Sequence, residues 1–197
     1  KLLFVGNGEV GKTTLMKKLM NRDYKVEIGK EPTTHGIKIK QWELDCAFQY
    51  GKHYVYPEED RDVLYPPETM DLEVTKYYYP DAWLIDIPVN LHLWDFGGQA
   101  IYHSTHQFFL TRRSIYIFVW EARKDDSYQG FDYWFNIINL LGEGSPLIVV
   151  MNKSDVRIKH IDEKGYKDKF KNIAEFLELS CVKTEGFEGL EESIKSA

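Results

Sequence analysis

Cysteine is nearly absent from this chain: Cys46 and Cys181 are its two. They form no metal-binding spacing, which removes zinc ribbons and disulfide scaffolds and suits a reducing compartment. No apolar run approaches the roughly 20 residues of a membrane-spanning helix, so no membrane insertion is expected. Positive charge is also short. The chain carries 25 Lys and Arg against 31 Asp and Glu, a formal net charge of −6, which argues against nucleic acid as a partner. No internal repeat and no signal peptide occurs, and Lys1 stands directly before the first apolar run. The expectation is a cytoplasmic domain excised from a longer protein.

What is present is organised around one stretch. The apolar run Leu2–Val5 leads into Gly6-Asn7-Gly8-Glu9-Val10-Gly11-Lys12-Thr13, and Thr14 opens a segment of helical spacing. Strand, glycine loop and helix in that order fit G-x-x-x-x-G-K-[ST], the phosphate-binding loop. Gly6 and Gly11 let the backbone turn tightly and approach an anion. Successive backbone N–H groups and the helix dipole supply positive potential. Lys12 can reach the β- and γ-phosphates, and the Thr13 hydroxyl can ligate Mg²⁺.

The 197 residues are enough for one domain with a real core. Strands are expected at 2–6, 37–44, 89–94, 114–120, 147–151 and 176–180. Helices are expected at 12–21, 100–111, 131–141, 162–175 and 190–196. Such alternation indicates a mostly parallel α/β sheet, with the loops after the strands along one edge. Residues 41–90 interrupt the pattern. They hold five of the seven prolines, ten of the twenty-nine aromatics and a net charge of −8. An elaborated hairpin or lobe is expected at about 45–88, either covering a sheet edge or offering Tyr and Trp anchors to a partner.

Three further loops carry chemistry. Asp95-Phe96-Gly97-Gly98-Gln99 follows a strand. Asp95 there can hold Mg²⁺ through its water shell, and Gly98 can offer its N–H to a γ-phosphate. Asn152-Lys153-Ser154-Asp155 follows the most apolar strand. The Asp155 carboxylate matches the N1–H and N2–H₂ donors of guanine, whereas adenine would leave it desolvated and unpaired. The Lys153 stem can lie along the base. Ser180-Cys181 ends the last strand, and the N–H near Cys181 can meet the guanine carbonyl.

The ordered set Gly6–Thr13, Thr34, Asp95–Gly98, Asn152–Asp155 and Ser180-Cys181 resembles a Ras-like small GTPase domain over nearly the whole chain. Closer still, Thr34-His35-Gly36, Trp94–Gln99 and Ser104–Arg113 resemble the Roc (Ras of complex proteins) domains of Roco proteins, bacterial or archaeal members above all. The resemblance implies a three-layer P-loop NTPase fold over 1–197, with helices on both faces and an insertion between the second and third strands. It implies Mg²⁺ held by Thr13, Thr34 and, indirectly, Asp95. Thr34 would be the switch threonine, with Thr33 as its competitor, and Gln99 would orient the attacking water. It also implies a following COR dimerisation domain, leucine-rich repeats in some parents, and pairing of two copies. Ala100 and Val182 depart from the Ras-like pattern.

Other residues fit blander roles. His103 and His106 lack a third metal ligand. Arg112 and Arg113 suit either a helix end facing a neighbour or arginine fingers. Trp120, Trp134 and Phe135 suit core or interdomain packing. Two functions stay open: a slow Mg²⁺-dependent GTPase switch producing GDP and phosphate, and a nucleotide-sensing interaction module in which hydrolysis is incidental. An ATPase would require Asn152–Asp155 to be dismissed.

Overall fold

The computed structural model describes residues 1–27, 29, 31–49, 84–97, 109–123 and 127–197. Among the described residues six strands form one sheet: β1 (Leu2–Val5), β2 (Ile37–Gln49), β3 (Leu84–Phe96), β4 (Ile115–Glu121), β5 (Leu147–Asn152) and β6 (Ile173–Glu178). Their order is β2-β3-β1-β4-β5-β6. β1 runs parallel to β3 and β4, β4 to β5, and β5 to β6. The helices among the described residues are α1 (Lys12–Met20), α2 (Ser127–Gly142), α3 (Glu163–Lys169) and α4 (Phe187–Ser196).

The central strands read as unbroken apolar runs because both of their faces are covered. Leu3, Val5, Tyr116, Phe118, Trp120, Leu147, Val149 and Met151 join one core with Phe131, Trp134, Phe135 and Ile138 of α2. The alternate residues, Leu2, Phe4, Ile117, Val119, Ile148 and Val150, are equally buried and point to the opposite face. Phe131 and Phe135 meet Phe118 edge-on at centroid distances of 5.1 and 5.2 Å, a favoured aromatic geometry. Trp120, Trp134 and Phe135 are therefore core residues.

Some boundaries differ from the sequence-based expectation. β2 and β3 are longer, reaching Gln49 and beginning at Leu84. Pro88 made the second appear broken, but it precedes the stretch Leu93–Asp95 that pairs with β1, so its missing N–H costs no bond on that side. The helix expected over 162–175 stops at Lys169, because Ile173 is buried and takes up register with Leu147 as β6 begins. The chain divides into two compact units, Lys1–Trp42 with Leu91–Ala197, and Glu43–Asn90. Residues 50–83, most of the expected insertion, lie outside the described residues, as do 98–108, most of the helix expected over 100–111. Among the described residues no helix is long and apolar enough to cross a membrane.

Candidate functional site

The glycine loop leaves β1 at Gly6 and enters α1 at Lys12. Gly6 has φ 131°, and a Cβ there would lie 2.2 Å from the Val119 carbonyl oxygen. Gly11, φ 93°, caps α1 without a side-chain hydrogen bond, and the first turn holds no acidic residue. No anion belonging to the helix therefore competes for its first N–H groups. Lys12 is buried, and its Nζ donates to the carbonyl oxygens of Gly6 at 2.9 Å and Asn7 at 2.7 Å. The ammonium is thus held inside the loop. Thr14 is buried as well, and Asn7 and Gly8 are partly exposed.

Three oxygens converge beside Lys12. Thr13 Oγ1 donates to Asp95 Oδ2 at 2.6 Å, Thr34 Oγ1 donates to the same oxygen at 3.1 Å, and the two hydroxyls are 2.8 Å apart. Asp95 is fully buried and its Oδ1 has no hydrogen-bond partner among the described residues. Burial pushes its carboxyl above the ordinary range, against the opposing pull of Thr13, the Lys12 charge and Thr34. A buried carboxylate with one orphaned oxygen and two adjacent hydroxyls fits a hard divalent cation such as Mg²⁺. One carboxylate is too few for an all-protein cage, so phosphate and water oxygens would have to complete the shell. Thr34 is buried and Thr33 exposed, so Thr34 is the one that joins this cluster. The backbone supports it: Gly97 N–H donates to the Gly36 carbonyl at 2.9 Å. Upstream, Glu31 accepts from Lys17 at 2.7 and 2.9 Å and from the Tyr24 hydroxyl, tying the Thr34 segment to α1.

The loop after β5 is knitted to the glycine loop. Asn152, buried, donates from Nδ2 to the Val10 carbonyl at 2.9 Å, and its Oδ1 accepts from Lys153 N–H at 2.8 Å. Lys153 Nζ donates to the Glu9 carbonyl at 2.8 Å. Glu9 and Lys153 both have left-handed backbones, with φ 65° and 63°, uncommon for residues other than glycine. Ser180 Oγ donates to Asp155 Oδ1 at 2.6 Å and accepts from Lys183 N–H at 3.1 Å, so Asp155 is oriented by the last loop. Cys181 is buried beside Asn152, and burial pushes its thiol up to about 12.

The fold thus gathers Gly6–Thr14, Thr34, Asp95, Asn152, Lys153, Asp155, Ser180 and Cys181 along the ends of β1, β3, β5 and β6. Gly98, Gln99, His103 and His106 lie outside the described residues. Arg112 pairs with Glu143 on the surface. One residue of the neighbourhood carries no motif. Glu121, buried at the end of β4, lies 2.5 Å from Lys153 Nζ and is the register partner of Asn152. An acidic residue closing an apolar strand was the one signal for it.

A model of the family "Ras of Complex, Roc, domain of DAPkinase" matches residues 67–155. The probable serine/threonine-protein kinase pats1 of Dictyostelium discoideum is 29% identical across 100% of the chain. A prokaryotic Roc-COR-CHAT protease is 32% identical across 98%. The chain spans 6% and 16% of the lengths of these two relatives. The solved structure of Methanosarcina barkeri Roco2 RocCORdC bound to GDP matches 99% of this chain and 47% of its own at 33% identity, with a TM-score of 0.66. Sheet order, loop constellation and relatives agree: the fold is the P-loop NTPase α/β fold, and the chain belongs to the Roc domain family.

Proposed function

We propose that this domain binds guanine nucleotide with Mg²⁺ and hydrolyses GTP to GDP and phosphate, slowly, as a switch within a longer cytoplasmic protein. The observation that carries the reading is the Thr13–Asp95–Thr34 cluster with its orphaned carboxylate oxygen beside Lys12. On this reading the loop amides and the N-terminus of α1 hold the phosphates. Lys12 exchanges its bonds to Gly6 and Asn7 for phosphate oxygens and offsets charge that develops during phosphoryl transfer. Thr13 and Thr34, with Asp95 indirectly, would hold Mg²⁺, which would neutralise phosphate charge. Asp155, aimed by Ser180, accepts from the guanine edge, while Asn152 and Lys153 fix the distance between base loop and phosphate loop. Gln99 is assigned to orienting water and Gly98 to the γ-phosphate. Thr34 senses nucleotide state, because its segment reaches the site as a loop.

The names of the relatives support a COR-type domain as neighbour; pairing with a second copy is part of the proposal. Binding of GTP, GDP and ATP by calorimetry, with single-turnover hydrolysis alongside, tests the proposal. Turnover on the order of 10⁻⁴–10⁻² s⁻¹ is expected for a Ras-like site without a partner's arginine, lost in Lys12→Ala. Tight guanine-nucleotide binding without turnover, even beside its neighbouring domain, would favour the sensing module instead.

A further inference from the structure

Glu121 is buried at the end of β4, where the loops that surround it on both sides carry nucleotide motifs and it carries none. Its Oε2 lies 2.5 Å from Lys153 Nζ and accepts from Arg123 Nη2 at 3.0 Å. Lys153 donates at the same time to the Glu9 carbonyl at 2.8 Å. Lys153 is therefore clamped between a carboxylate on the sheet and a carbonyl of the phosphate loop, with both loop residues in left-handed backbone conformations. Resting on the guanine-nucleotide reading above, we infer that Glu121 is a positioning residue for nucleotide retention: it holds the Lys153 stem where the base is to lie and keeps the base loop latched to the phosphate loop.

The physical reason is the second cation. With Glu121 ionised, Lys153 and Arg123 share one oxygen and their repulsion is offset. Burial alone would push the Glu121 carboxyl up, but Lys153 and Arg123 outweigh it and hold it below the ordinary range. A neutral side chain at this position leaves the two cations facing each other with no carboxylate to offset their repulsion, and Lys153 is the one that can leave. Its departure releases the Glu9 carbonyl and frees the base loop. Because the latch opens after the nucleotide is seated, the effect falls on dissociation rather than association. Arg123 is half-exposed and meets Glu121 but neither loop among the described hydrogen bonds and ion pairs.

Release of a fluorescent GDP from the whole domain, chased with unlabelled GDP, tests this in Glu121→Gln, Lys153→Met, the double variant and Arg123→Ala. Glu121→Gln is expected to release GDP on the order of tenfold faster, as for a lost charged hydrogen bond. The double variant should match Lys153→Met alone, and Arg123→Ala should stay within about twofold of wild type. Glu121→Asp, which withdraws the charge by one methylene, should fall between wild type and Glu121→Gln. A Glu121→Gln rate equal to wild type, or effects of Glu121→Gln and Lys153→Met that multiply, would overturn the inference while wild type still holds GDP. Failure of wild type to bind GDP would overturn the inference and the function beneath it together.

Discussion

Thr13 and Asp95 stand 82 positions apart in the chain, yet the Thr13 hydroxyl donates to Asp95 Oδ2 at 2.6 Å. A hydroxyl that closes on a buried carboxylate in this way is the pair a divalent cation would draw apart. Mg²⁺ should therefore slow GDP release, and EDTA should speed it. In Thr13→Ala the two rates should converge, because the ion loses a ligand and Asp95 loses its donor. Stopped-flow release of GDP with and without chelator checks this.

Gly11→Ala and Gly36→Ala separate two costs that sequence alone would treat alike. Both glycines have left-handed φ, 93° and 72°. A Cβ on Gly36 meets nothing within 4 Å, whereas one on Gly11 would lie 2.4 Å from Asn152 Nδ2. Gly36→Ala should cost about 1–2 kcal/mol of backbone strain. Gly11→Ala should cost more and also weaken nucleotide binding, since Asn152 must release the Val10 carbonyl. Thermal melts and GDP titrations on both variants decide the matter.

Asp155→Asn should exchange guanine for xanthine preference, because an amide offers donors where the carboxylate offered none. Ser180→Ala should lower affinity for every guanine nucleotide without changing the base preferred, since it removes the hydroxyl that aims Asp155. A loss of roughly 1 kcal/mol is expected there. Competition by GTP, XTP and ATP reads both.

The Glu121 carboxyl is held below its ordinary range in the fold. Its contribution to stability is therefore complete above the ordinary carboxylate pKa and is lost as pH falls through the folded value. Wild type should exceed Glu121→Gln by about 1–3 kcal/mol near pH 7. The gap should close as pH falls below about 4. Melting curves across that range check the sign.

Much of this site was legible because phosphate and base loops are contiguous and each follows an apolar run. Gly6–Thr13 and Asn152–Asp155 needed no fold to be seen. The choice of Thr34 over Thr33 rests on the family resemblance, and the structure buries Thr34 beside Asp95 and exposes its neighbour. Glu121 was illegible for a physical reason: its partner Lys153 belongs to a different strand end, and only parallel pairing of β4 with β5 makes them neighbours. At Pro88 composition argues for a break, yet β3 runs through it from Leu84 to Phe96. The end of α3 was misjudged because Lys-rich periodicity carries on past Phe170, while burial of Ile173 starts a strand.

Single-turnover release of phosphate from GTP is the most direct test of the account. With Mg²⁺ the domain should hydrolyse GTP slowly, leave ATP untouched, and lose the activity both in EDTA and in Lys12→Ala. Equal hydrolysis of ATP, or GTP turnover that survives Lys12→Ala, would contradict it.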